Sequence, residues 1–286
     1  DSHTNLVKKE KNGQVLYKKE PDPQQDTSAL AQQYLDVHSI LEYAETESLP
    51  YLKQQLLQQC DCNWAIAQEG LSRPYGASVG RTLCQSGNAS DWRISCCAAA
   101  AAGSDARMNG CALPVVINSG SGNQGMTASI PVVVYAKELN SGADKMYRAL
   151  ALSNLTAIHQ KTRIGRLSAY CGAVSAGAGA GAGIAYLCGG GYDEVVHTVV
   201  NALAVVSGIV CDGAKASCAA KIASAVDAGI LGYNMYIRGQ QFYGGDGIVT
   251  KGVEATIANV GRLGKDGMKA TNEEIIRIMV GDKSLC

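Results

Sequence analysis

This sequence predicts a mainly α-helical fold, a multi-helix domain preceded by a short β-hairpin, and three observations carry that reading. Hydrophobic residues make up 47% of the chain but aromatics only 6%, with a single Phe. The core must therefore be built from Ala, Val, Ile and Leu, a composition that favours closely packed helices. From Thr27 onward, apolar residues recur at helical spacing over segments of ten residues or more, with no strand–helix alternation of the kind a Rossmann-like sheet requires. Before that point, Asn12-Gly13 sits between two short strand-like runs, the strongest local hairpin signal a sequence carries.

Taken in order, residues 4–18 form the expected hairpin. A lone two-stranded hairpin is marginal in water. It is therefore expected to belong to a sheet whose other strands lie upstream of Asp1, so that residues 1–22 are the remnant of a preceding α+β domain and residues 23–286 form the helical domain. Pro21-Asp22-Pro23 punctuates the chain and places a linker near residues 20–26. Ser39-x-x-Glu42 and Thr271-x-x-Glu274 match capping boxes, and Ser48-Leu49-Pro50 reads as a further helix start. Apolar spacing predicts helices over 91–103, 125–140, 143–163, 192–207, 215–230 and 251–264. The run from Ala176 to Gly183 alternates Ala and Gly between Cys171 and Ile184-Ala185-Tyr186-Leu187, too apolar for a flexible linker. We read it as a buried helix that lets neighbouring backbones come close, despite a propensity cost of about 1 kcal/mol per Gly; the alternative is an extended strand, since strict alternation also has period 2.

The 25 Lys and Arg balance the 25 Asp and Glu, and the pI is near 7.0. Nucleic acid and acidic membrane surfaces are thus not expected as partners. The longest apolar stretches are interrupted by Gly or Ser and no leader pattern opens the chain, so a cytoplasmic protein is expected. Eleven cysteines without a secretory context argue against a disulfide framework, and no Cys-x-x-Cys pair suggests zinc or thioredoxin-type chemistry. Their expected fates are buried thiols or cluster ligands.

Three segments carry chemistry. The Gly-rich turn Ser119-Gly120-Ser121-Gly122-Asn123-Gln124-Gly125 enters a helix and would offer backbone N–H groups to a carboxylate or phosphate. It is neither a dinucleotide fingerprint nor a Walker loop. The segments Arg166–Val174 and Ser207–Cys218 each set a Cys beside Gly, where a bulky inorganic cluster can approach the backbone. The histidines are His3, His38, His159 and His197, and His3 lies on the hairpin side facing the expected upstream domain.

The runs Ala106-Arg107-Met108-Asn109-Gly110-Cys111, Ile117 to Gly125, Gly165 to Ala173, Gly208 to Cys218 and Gly261-Arg262-Leu263-Gly264 closely resemble the family related to the serine dehydratase alpha chain, whose characterised members are L-cysteine desulfidases. The resemblance covers nearly the whole chain. It implies a lyase that eliminates hydrogen sulfide from L-cysteine, giving pyruvate and ammonia, with an oxygen-sensitive 4Fe-4S cluster acting as Lewis acid and no pyridoxal phosphate. An L-serine dehydratase with the same cluster logic is the alternative, and a non-catalytic iron-sulfur or amino-acid binding module is the rival from another class. The family's two downstream cluster cysteines fall on Cys171 and Cys211, forty residues apart. A third lies in an upstream Cys-Thr-Glu-Pro motif that this sequence does not contain, so the chain is expected to be an incomplete, inactive fragment whose missing N-terminal domain supplies a further ligand. Cys218 and the terminal Cys286 are the candidates to deputise. The Ser119–Gln124 loop would hold the substrate carboxylate, with Arg107 and Arg166 as alternatives. His3, Asp212 and Lys215 are the candidates for proton transfer, and a homodimer is compatible with the family.

Overall fold

The computed structural model describes residues 6–20, 33–88, 91–165 and 167–281. The hairpin forms as expected: β1 (Lys8–Lys11) pairs antiparallel with β2 (Gln14–Lys18), and every residue of both strands is exposed. Asn12 and Gly13 both adopt positive φ, 51° and 79°, the type I′ geometry that suits strand twist. Most of the expected linker lies outside the described residues.

The helical part opens with α1 (Val37–Thr46), and here the capping box at Ser39 is corrected. Asp36 is the cap, its carboxylate accepting from the Ser39 N–H at 3.0 Å, because an Asp three residues earlier reaches the same orphan donor. Helix α2 (Leu49–Ser72) starts at Ser48 as expected, with Pro50 in its first turn. A short α3 (Val79–Ser86), missed in the sequence, follows. Next come α4 (Trp92–Met108), α5 (Gly122–Glu138), α6 (Ala143–Ile164), α7 (Gly172–Leu187), α8 (Tyr192–Val206) and α9 (Cys218–Tyr236). The chain then runs through α10 (Val253–Arg262), a π-helical turn over Leu263–Gly267, and α11 (Lys269–Val280). The expected start at Thr271 is therefore corrected too: the π turn carries the chain into α11 at Lys269, leaving Thr271 inside the helix.

Helix α7 is the axis of the bundle, packed by α5, α6, α8 and α9. Its alternating glycines explain why it is a helix and not a strand. A Cβ on Gly177 or Gly181 would lie 2.4 Å or 2.8 Å from the carbonyl oxygens of Ala225 and Gly229 on α9. A Cβ on Gly179 or Gly183 would lie 2.5 Å or 2.8 Å from those of Ser153 and Ala149 on α6. Each pair is spaced i, i+4, and the two pairs are offset by two residues, about 200° around a helix. An apparent period of two is thus two helical rows on opposite faces, each letting one neighbour's backbone touch that of α7.

Candidate functional site

Helix α7 begins at Cys171, and the chain just before it lies against the chain just after α8. Tyr170 and Val210 form an isolated antiparallel bridge, closed by Cys171 N–H to Ile209 O at 3.0 Å and Cys211 N–H to Ala169 O at 2.6 Å. Tyr170, 1% exposed, anchors the bridge from behind, with its hydroxyl 2.9 Å from that of Ser207. Alternate residues of a strand face opposite sides, so Cys171 and Cys211 share the face away from Tyr170 and are diagonal neighbours, with α-carbons on the order of 7–8 Å apart. The structure thus brings together the two cysteines that the sequence singled out. Burial pushes the Cys171 thiol up, and the nearby Cys211 and Cys218 push the same way.

Cys218, the first residue of α9, donates to Gly213 O and accepts from the Lys215 N–H, each at 3.5 Å. Asp212 forms an ion pair with Lys221, whose ammonium also donates to Val210 O at 3.0 Å. The Lys221 hydrogen bond to Asp212 holds that carboxyl below its usual range, and Lys215 is exposed. His3, Arg166 and Cys286 lie outside the described residues.

The glycine-rich turn reaches the same corner. Asn118 and Ser121 pair with each other, Ser119 and Gly120 adopt positive φ, and the Ser121 hydroxyl caps α5 by accepting from Gln124 N–H at 3.5 Å. Gly125 N–H bonds Ser121 O, so the N–H groups of Gly122 and Asn123 are those at the open mouth of the helix. The turn is held from below: Asn118 donates to the Asn154 side chain at 2.9 Å, and Val116 N–H bonds the Asn63 side chain at 2.9 Å. Two bare glycines then seat two functional groups. A Cβ on Gly122 would lie 2.5 Å from Arg107 Nε, and one on Gly172 would lie 2.4–2.7 Å from the amide atoms of Gln124. Arg107 donates to Asn123 Oδ1 at 3.3 Å and interacts electrostatically with Cys218. The turn, Arg107, Cys171, Cys211 and Cys218 therefore occupy one corner of the bundle.

These comparisons with known proteins agree. The family model of the serine dehydratase alpha chain matches residues 12–277. The chain belongs to the serine dehydratase alpha chain family. Family relatives include UPF0597 proteins of Desulfitobacterium hafniense, 59% identical over 285 residues, Lachnoclostridium phytofermentans, 51% over 279, and Treponema denticola, 44% over 285. The alignments take in 98–99% of this chain and 66% of each relative, so the chain spans about two thirds of their length. No solved structure matches.

Lys161 lies at this corner and was missed in the sequence reading. It is 5% exposed on α6, burial pulls its ammonium below the usual range, and it interacts electrostatically with Cys211 and Cys171. Its signal was present: Leu150, Asn154, Ala157 and Lys161 share one helical stripe, and a Lys on a buried stripe is out of place unless it serves a site. Cys171 and Cys211 fit as two ligands of a cluster, since they share a face at a corner backed by cations and open N–H groups. Among the described residues no group of three or more His, Cys, Asp or Glu is arranged to hold a metal ion. A cleft of about 140 Å³ adjoins the bridge on its Ala169 side, lined by Leu167, Ser168, Ala169, Gly264, Lys265 and Met268. No described helix is long and apolar enough to cross a membrane.

Proposed function

We propose that this chain is the cysteine-bearing helical part of an iron-sulfur-dependent lyase that eliminates hydrogen sulfide from L-cysteine, leaving pyruvate and ammonia. The observation that supports it most is the pairing of Cys171 and Cys211 on one face, forty residues apart in sequence, beside the glycine-rich turn. When bound, a 4Fe-4S cluster supplies a Lewis-acidic iron for the leaving sulfur. Cys171 and Cys211 would hold two of its corners, with Cys218, Cys286 or a cysteine of the remaining third of the protein completing the set.

Around that pair the chain's own residues do the binding. Arg107 and the open N–H groups of Gly122 and Asn123 would take the substrate carboxylate, at a helix end where the dipole favours an anion. The Lys161 ammonium would balance thiolate charge in a corner where burial otherwise favours the neutral form of Cys171. Asp212 is committed to Lys221, which fixes the Cys211 loop and makes it a weak proton acceptor, so we assign it positioning. His3 remains the proposed base. The family's name makes L-serine the second substrate to test.

Anaerobic reconstitution of the whole protein with iron and sulfide, then assay of sulfide and pyruvate from L-cysteine and L-serine, tests the proposal. Release of both from L-cysteine, abolished in Cys171→Ala and in Cys211→Ala, is the expected result. Pyruvate from L-serine alone would replace it with the dehydratase reading. A stable cluster that turns over neither amino acid would remove the lyase.

A further inference from the structure

Gln124 carries a feature that a carboxylate cradle does not explain. Its side chain is 7% exposed, and its Oε1 is buried with no hydrogen-bond partner. An unpaired buried acceptor is costly, so one that is kept calls for a ligand, an ion or a role in chemistry. Among the described residues six other side-chain oxygens are orphaned: those of Thr156, Gln160 and Ser175 on α6 and α7, and those of Asp105 on α4, Thr198 on α8 and Gln241 after α9. Gln124 differs because of its place. Its amide lies flat on the Cα of Gly172, the residue after Cys171, and it stands on the same first turn of α5 whose Gly122 seats Arg107. A buried acceptor that needs an N–H donor thus stands on the same turn as the glycine that seats a guanidinium, beside the thiols.

We propose that Gln124 and Arg107 together read the zwitterion of an amino-acid substrate: the Gln124 amide oxygen accepts from the α-ammonium while the Arg107 guanidinium binds the α-carboxylate. This rests on the proposed amino-acid chemistry of the site and names the residues that separate amino acids from hydroxy and keto acids. A site that hydrogen-bonds a substrate N–H rejects analogues lacking it, because its own acceptor is left unpaired. Pyruvate, which carries no nitrogen, is accordingly bound weakly and leaves.

The test is equilibrium binding to the whole protein by calorimetry, with L-serine, its des-amino analogue 3-hydroxypropionate and its des-carboxy analogue ethanolamine. In Gln124→Met, L-serine binding should fall at least tenfold and 3-hydroxypropionate binding should not change. The midpoint of thermal unfolding without ligand should hold or rise, since the substitution removes an orphan. Arg107→Met should weaken L-serine and 3-hydroxypropionate but not ethanolamine. Gly172→Ala is the independent variant: its methyl meets only the movable end of Gln124, so the fold should survive while the preference for L-serine is lost. Equal loss of all three ligands in Gln124→Met, unchanged L-serine binding, or no binding of L-serine to the wild type would each overturn the assignment. Binding without turnover would leave Gln124 in its role and remove the elimination reaction instead.

Discussion

Helix α7 is two different structures at its two ends. In its middle, four glycines bring its backbone against those of α6 and α9, with every neighbouring Ala buried. At its start, the same residue type holds off a Cβ so that a side-chain amide can lie over Gly172, beside thiols and a buried lysine. Glycine serves packing in one place and access in the other. What separates the two is the atom met: a carbonyl oxygen fixed in a helix, or the free end of a long side chain.

One pair of substitutions can break that contrast. Gly177→Ala places a methyl 2.4 Å from the Ala225 carbonyl oxygen, which moves only if α9 moves. Overpacking of this kind costs about 3 kcal/mol, more than the roughly 1 kcal/mol of helix propensity gained. Thermal unfolding should show a midpoint lower by roughly 4–8 °C, for a net loss of about 2 kcal/mol at about 2–4 °C per kcal/mol. Gly172→Ala should lie within roughly 2 °C of wild type. Equal losses in the two variants would mean that the α7 start is as tightly packed as its middle.

The same contrast sets what could be read from the sequence. The helices over 91–103, 125–140, 143–163, 192–207, 215–230 and 251–264 were legible because a period of 3.6 writes itself into the apolar pattern, and the observed bounds differ by five residues or fewer, save at the C-terminus of α9, where they differ by six. Helix α3 was not, since Val79–Ser86 is only eight residues long and its apolar stripe is the single i, i+4 pair Val79 and Leu83. The period of two in α7 favoured helix over strand only through its apolar flanks. Its cause, two glycine rows serving two neighbours, depends on α6 and α9 and is a tertiary fact. At the site, Cys171 and Cys211 were legible through the family resemblance, whereas the bridge that joins them is formed by Tyr170 and Val210, which carry no motif. Lys161 was hidden because a charge on a helix is ordinarily a solvated one.

Two ionisable groups on α6, two residues apart, sharpen the comparison. His159 is fully buried but paired: its Nε2 lies 2.8 Å from Glu254 Oε2, and the other carboxylate oxygen caps α1 through Val37 N–H at 2.9 Å. Burial pushes the Glu254 carboxyl up, but the His159 bond and charge, the Val37 N–H and Arg163 outweigh it, and the net shift is downward. A carboxyl with a depressed folded pKa contributes stability above its ordinary pKa of about 4.3, lost as pH falls through the folded value. Because Glu254 is 39% exposed, solvent screens much of this. Glu254→Gln should cost about 1 kcal/mol at neutral pH by denaturant titration, with the difference vanishing below about pH 4. A cost that persisted at pH 3 would make the role one of shape and not of charge.

Lys161 is the unpaired counterpart, and its removal should have an effect of the opposite sign. Among the described residues no carboxylate pairs with it, so in the cluster-free protein its ammonium is buried beside the Cys171 thiol, which burial pushes up, at a net cost. Lys161→Met keeps the length and removes the charge, and it should stabilise the cluster-free protein by about 1 kcal/mol near neutral pH. Burial lowers the folded pKa of Lys161, so the unfolded chain binds more protons and wild-type stability rises with pH toward the ordinary lysine value of about 10.4. The advantage of the methionine variant must therefore shrink as pH rises from 7 to 10. Reconstitution with iron and sulfide should reverse the order, because two thiolates would then face the space the ammonium had balanced, and the variant should retain less iron than wild type. A variant that is less stable at every pH and holds iron as well as wild type would return Lys161 to ordinary packing and leave the charge of the cysteine pair without its counterion.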